Sequence, residues 1–341
     1  MKKAKTVTLC ALLLSTFILG IIPTTDAQIE PVVSIAASIA PLGGIVNAIG
    51  KGYVKVTVLL PEGVDPHAAQ LPQSAVQAAM SADLLVLTGH FPWENSLAQQ
   101  VSTPNISLLD YETFGAALST FPGAPEKENP HAYWLLPRNA IAIANATVSK
   151  LREIAPDLTD FWNASFNQFV SDVAEFENLV LESSSQAGFA NLRVVAVTPA
   201  EAYIAQTFGL DVVAVLEQDE NVFISGADLI AVHDALANGS ISLIVGSDLA
   251  KLEQGGQFAN QLAGDTGARV IWWREIFFSG LSDYISLMTY NLGVLVSAMD
   301  ASTSNAGTSS INYLAIGIAG FLSVVVLVET VLLVQRIRKE E

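Results

Sequence analysis

The chain has 341 residues, with 33 acidic and 16 basic side chains, a formal net charge of −17, four histidines and one cysteine. Between Gln28 and Ser310 there are 29 acidic against 10 basic residues, near −19, which excludes nucleic acid as a partner and concentrates cations at the surface. Cys10 lies in the apolar run of residues 7–22, so the chain beyond it has no thiol for disulfides or thiolate–metal bonds.

Lys2, Lys3 and Lys5 precede that run, and Pro23 to Gln28 form a small-residue exit, so residues 1–27 are expected to be a secretory signal. Four Asn-x-Ser/Thr sequons, at Asn105, Asn145, Asn163 and Asn238, fit an exported chain. Short apolar runs rich in β-branched residues at 32–37, 54–60, 84–88 and 106–109 alternate with helical stretches at 74–80 and 93–101, which predicts a parallel sheet wrapped by helices over residues 28–137.

That first half carries three histidines. His67 closes Glu62-Gly63-Val64-Asp65-Pro66-His67, and His131 follows Asn129-Pro130, so both imidazoles sit directly after proline on stiff turns. Such pairing points to a metal ion, because little conformational freedom is left to lose on coordination. His90 ends the run Leu84-Leu85-Val86-Leu87-Thr88-Gly89-His90, at the carboxyl edge where open α/β sheets bind ligands.

Residues 138–187 contain almost no glycine, carry apolar positions at three- and four-residue intervals, and predict one long linking helix, with Pro156 as the place where it would end, kink or restart. Runs at 193–197, 212–216, 241–245 and 270–273, with helices at 200–208, 227–238 and 283–299, predict a second α/β lobe over 188–299. His233 falls mid-helix and is expected to be solvated. Residues 300–311 are small and polar and predict a flexible tether. Residues 312–335 are apolar enough to suggest a transmembrane helix, and 336–341 a basic cytoplasmic tail, which would leave the globular part at the cell surface. The expected fold class is therefore α/β, with two lobes joined by one long helix and a C-terminal transmembrane helix.

The order Glu62 to His67, Ser81 to Gly89, then Asn129-Pro130-His131-Ala132-Tyr133-Trp134-Leu135 resembles the zinc- and manganese-binding solute-binding proteins of ABC transporters. Thr198-Pro199-Ala200-Glu201-Ala202-Tyr203, Asp265-Thr266-Gly267-Ala268 and Asp283-Tyr284 extend the resemblance across residues 30–299. It implies a receptor, not an enzyme, that captures Zn²⁺ or Mn²⁺ as transported ligand between two lobes and hands it to an ABC permease. His67 and His131 match the first-lobe ligands of that family. Where the family places a histidine or glutamate five residues before the tyrosine, this chain has Thr198, so Glu201, one turn later, is the substitute. The fourth ligand falls near Trp273-Arg274-Glu275, with Glu275 the better donor. Two arrangements follow. The one adopted here has Glu201 and Glu275 complete the site from the second lobe; in the other, His67, His90 and His131 form a first-lobe triad. In either case affinity is expected to fall below about pH 6, as imidazoles protonate. A surface adhesin with a degenerate site is the alternative function, and a zinc hydrolase finds no supporting motif.

Overall fold

The computed structural model describes residues 30–219, 222–276, 281 and 283–303. The first lobe builds a sheet from β1 (Val33–Ala37), β2 (Val54–Val58), β3 (Leu84–Val86) and β4 (Asn105–Ile106), all parallel in the order β2-β1-β3-β4. Its helices are α1 (Ala40–Gly50), α2 (Gln73–Ser81), α3 (Pro92–Gln100) and α4 (Leu108–Thr113). The fourth strand stops earlier than the apolar run at 106–109 predicts. The Ser107 backbone N–H donates to Asp110 Oδ2 at 2.9 Å, so a helix start takes over the apolar Leu108 and Leu109.

A hairpin absent from the sequence reading follows, β5 (Ser119–Phe121) against β6 (Ala124–Asn129), turning at Pro122-Gly123 with Gly123 at φ 82°. Then come α5 (Pro137–Ile154) and α6 (Thr159–Ala187), separated by a 3₁₀ turn at Pro156–Leu158. The expected single linking helix is thus corrected to two. Pro156 has no N–H to continue the ladder and forces Ala155 to a non-helical φ −131°, ψ 71°. The two helices pack on each other, α5 and α6 both against α1, and α6 alone carries the chain onward.

The second lobe contains β7 (Arg193–Ala196), α7 (Glu201–Thr207), β8 (Asp211–Val215), an antiparallel pair β9 (Glu217–Asp219) and β10 (Val222–Phe223), α8 (Gly226–Ala237), β11 (Leu243–Ser247), α9 (Gln254–Thr266), β12 (Arg269–Trp273) and α10 (Tyr284–Thr303). Its parallel sheet runs β12-β11-β7-β8. In each lobe the first and third strands are neighbours with the second outside the first, so both sheets have the same topology and a crevice at the carboxyl ends of those neighbours. Trp162, Phe169, Val173 and Phe176 of α6 and Tyr284, Leu287 and Met288 of α10 belong to one buried cluster that runs through both lobes, while the other face of each sheet has its own cluster. The Tyr284 hydroxyl donates to Leu135 O at 2.8 Å, tying α10 back to the first lobe.

The expected C-terminal transmembrane helix is a second correction. Among the described residues no helix is long and apolar enough to cross a membrane, and residues 312–335 lie outside them. Tyr284, Leu287, Met288, Leu292 and Leu295 of α10 are buried, α10 packs on α6, and the described residues form the two lobes. The α10 helix reaches Thr303, so residues 300–303 of the expected tether are helical; the expected signal and cytoplasmic tail also lie outside the described residues.

Candidate metal centre

Each histidine of the first lobe sits on a loop held by side-chain hydrogen bonds. His67 follows β2. Its backbone N–H donates to Asp65 Oδ1 at 2.8 Å, an Asx-type turn, and Trp93 Nε1 of α3 donates to Pro66 O at 2.9 Å. His90 follows β3 after Gly89, whose φ of 73° turns the chain sharply where a Cβ would meet the Leu108 nitrogen at 3.2 Å. Glu94, fully buried, holds that turn. Its Oε1 accepts from Thr88 N at 2.8 Å, and its Oε2 accepts from Thr88 Oγ1, His90 N and Phe91 N at 2.7, 3.1 and 3.2 Å. The Tyr133 hydroxyl, from the His131 segment, donates to Thr88 O at 2.7 Å. His131 follows β6, with Asn129 Oδ1 accepting its backbone N–H at 3.1 Å and lying 3.2 Å from its Nδ1. Ala132 beside it adopts a left-handed φ of 60°, uncommon for a residue with a Cβ and often found where a site fixes its backbone.

These braces bring His67, His90 and His131 together, with one ring nitrogen of each within 4.8 Å of the others. Ring centroids are 4.6 Å apart for His90 and His131, 5.1 Å for His67 and His90, and 5.7 Å for His67 and His131. They face a cavity of about 360 Å³ between the lobes. Burial lowers His90 to a pKa of about 3, helped by the neighbouring His131 and His67; burial and His67 lower His131 to about 4, against an opposing pull from Asp219. Both rings are therefore neutral at physiological pH, with lone pairs available. His90 Nε2 is buried with no hydrogen-bond partner among the described residues, a costly state that an ion would relieve. Burial thus displaces proton competition at these two rings to lower pH than for an ordinary imidazole.

The second lobe supplies the opposite wall. Glu217, Asp219, Glu253 and Glu275 line it together with Thr198, Asp65 lines the cavity from the first lobe, and no lysine or arginine is among the lining residues. Glu275 thus faces the cavity but stands outside the histidine group; burial, then Glu201 and Asp248, push its carboxyl well above the usual range. Arg274 turns away, its guanidinium 5.3 Å from the Tyr290 ring. Glu201 does not line the cavity. Its Oε2 accepts from Thr198 N at 2.7 Å and Thr198 Oγ1 at 2.9 Å, which makes Thr198-Pro199-Ala200-Glu201 the opening of α7 in the manner of a capping box. Burial raises its carboxyl to about 7, against the opposing hydrogen bonds from Thr198.

Of the five residues singled out in the sequence, the structure gathers three histidines, sets Glu275 across the cavity from them, and puts Glu201 behind the wall. Sequence reading missed Glu217, Asp219 and Glu253, which tertiary placement alone collects. Of Trp93, Trp134, Trp272 and Trp273, only Trp134 lines the cavity; Trp272 instead packs against Gly246 and beneath Lys251. His233 is exposed, 3.4 Å from Asp234.

The family model for the periplasmic component A of zinc-uptake complexes matches residues 35–298. A manganese-binding lipoprotein of Halalkalibacterium halodurans, MntA, is 23% identical over 274 residues, 78% of this chain and 88% of that protein. The high-affinity zinc uptake system protein ZnuA of Yersinia pestis is 27% identical over 174 residues, 43% of this chain and 55% of that protein. Among solved structures, a ZnuA deletion mutant with zinc bound superposes with a TM-score of 0.65 at 20% identity, covering 78% of this chain and 97% of that one. The Pseudomonas aeruginosa protein FpvC with Mn²⁺ gives 0.64 at 21% identity, covering 79% and 99%.

Proposed function

Since the chain belongs to the family of periplasmic zinc-uptake components, the zinc- and manganese-binding solute-binding proteins of ABC transporters, we propose that it captures Zn²⁺ at His67, His90 and His131 and delivers it to an ABC permease. The family consists of metal-binding receptors rather than enzymes. One observation carries the residue assignment: three imidazole nitrogens converge within 4.8 Å on a cavity whose charged lining is acidic.

Neutral imidazoles bind first-row divalent ions in an order that places Zn²⁺ well above Mn²⁺, and three of them leave one position of a tetrahedron open. Glu275 or water is the donor left for that position, since Glu275 is the cavity carboxylate that the family pattern also points to. Carboxylates on the far wall would raise the local concentration of cations and repel anions before any inner bond forms. With all three imidazoles on the first lobe, the ion is held without needing the second lobe to close, so the bridging arrangement by Glu201 and Glu275 is the weaker reading. The alternative of an adhesin with a degenerate site is weakened by the same convergence of braced histidines. Calorimetric titration of the metal-stripped protein with ZnCl₂ is expected to give one ion per chain with Kd below about 1 μM, roughly 8 kcal/mol. No saturable heat would overturn the proposal.

A further inference from the structure

Asn129 makes contacts in two directions. Its Nδ2 donates to Pro199 O at 2.8 Å. A carbonyl oxygen only accepts, so the amide nitrogen is fixed on that side and Oδ1 must face the other way. There Oδ1 accepts the His131 backbone N–H and lies 3.2 Å from His131 Nδ1. An amide oxygen at that distance requires a proton on Nδ1, which leaves Nε2 as the coordinating nitrogen. Its backbone joins the same contact: the Tyr203 hydroxyl donates to Asn129 O and accepts the Ser119 N–H, and Ser119 Oγ donates to Gln206 Oε1 at 2.8 Å. Pro199 leads into α7, and Tyr203 and Gln206 lie on it, whereas Ser119 and Asn129 belong to the β5–β6 hairpin. The side chain that orients His131 is therefore also the side chain that seats the first lobe on the second, and it is itself fully buried.

We propose that Asn129 is a positioning residue that sets the tautomer of His131 and couples an ion held there to the contact between the β5–β6 hairpin and α7. The coupling rests on the reading of His131 as a ligand. An ion on Nε2 makes the Nδ1 proton more acidic and strengthens its bond to Oδ1; the same rigid amide then holds Pro199 O more firmly. This gives the second lobe a response to loading although none of the three histidines belongs to it.

Substituting aspartate separates the two arms, because a carboxylate still accepts from His131 Nδ1 but has no N–H for Pro199 O. The probe is Zn²⁺ alone on the full chain. The readouts are zinc titration, amide hydrogen exchange of residues 119–129 and 201–207 with and without zinc, and nitrogen NMR of the His131 tautomer. In the unsubstituted protein, zinc is expected to slow exchange in both segments. Asn129→Asp is expected to keep the Nδ1–H tautomer and zinc affinity within about threefold while losing the slowing in 201–207; Asn129→Ala should lose the tautomer preference and about tenfold or more in affinity. Tyr203→Phe, which leaves both arms of the Asn129 amide intact, should retain tautomer and affinity, and loss of either there would overturn their assignment to that amide; if Asn129→Ala does not fold, Asn129→Asp carries the test. Unchanged tautomer and affinity in Asn129→Ala, preserved slowing in Asn129→Asp, or no slowing in the unsubstituted protein would overturn the coupling. Absence of zinc binding would overturn the proposed function as well, and the tautomer in the metal-free protein separates the two failures.

Discussion

Replacing His90 by alanine tests the third imidazole, because in the metal-free protein that ring is a liability. Its buried, unpartnered Nε2 carries a desolvation cost of about 1–3 kcal/mol. An ion removes that cost, a contribution that corresponds to about 5–150-fold in affinity. At zinc equal to 100 times Kd, the unsubstituted protein gains about 2.7 kcal/mol from binding. If the variant binds about 100-fold more weakly, the same zinc concentration gives it about 0.4 kcal/mol. For a chain of this size, at about 2–4 °C per kcal/mol, the zinc-dependent rise in Tm should drop from about 5–10 °C to about 1–2 °C. The metal-free variant should unfold no earlier than the unsubstituted protein, since the substitution deletes an unpartnered group beside an open cavity. Differential scanning calorimetry with and without zinc reads both effects. An undiminished zinc shift in His90→Ala would refute the triad and return the site to His67 and His131 with carboxylates of the second lobe.

Below an unfolded-state pKa of about 6.5, His90 and His131 bind fewer protons folded than unfolded, so their contribution to stability is complete above about pH 6.5 and is lost as pH falls towards 4 and 3. Glu201, raised to about 7, has the opposite sign between pH 4.5 and 7, so the informative quantity is the difference in urea midpoint between the metal-free protein and His90→Ala; the unsubstituted protein should lose more stability than the variant between pH 6.5 and 4.5. Glu201→Ala removes the partner of Thr198 N and Oγ1 and should cost about 1–2 kcal/mol of stability while leaving zinc affinity within about threefold, as read by urea unfolding and titration. Glu275→Ala, acting from across the cavity, should weaken zinc less than His90→Ala does in the same titration series.

The two-lobe architecture was legible because parallel strands buried on both faces leave short, continuous apolar runs, as at Val194 to Val197 and Leu84 to Leu87. Pro-His loops marked His67 and His131, and the strand end marked His90. The choice among the candidate ligands was not legible, since it depends on which distant segments the fold braces together: Trp93 of α3 to Pro66, and Tyr133 to Thr88. Glu201 carried a readable signal of its own, the Thr-x-x-Glu spacing, and its carboxylate accepts from Thr198 N and Oγ1. Pro156 likewise marked a break within a periodic stretch that otherwise suggested one helix. The hairpins had only a Pro-Gly turn and short polar runs to announce them, and the carboxylates at 217, 219 and 253 converge through tertiary placement that no local pattern encodes.

X-ray absorption at the zinc edge of the loaded protein tests the triad most directly, because imidazole rings give resolvable outer-shell scattering around the metal. Three imidazoles per zinc are expected, with Zn–N distances of about 2.0–2.1 Å, falling to two in His90→Ala. Two or fewer imidazoles in the unsubstituted protein, with carboxylate oxygens in their place, would contradict a site built from His67, His90 and His131.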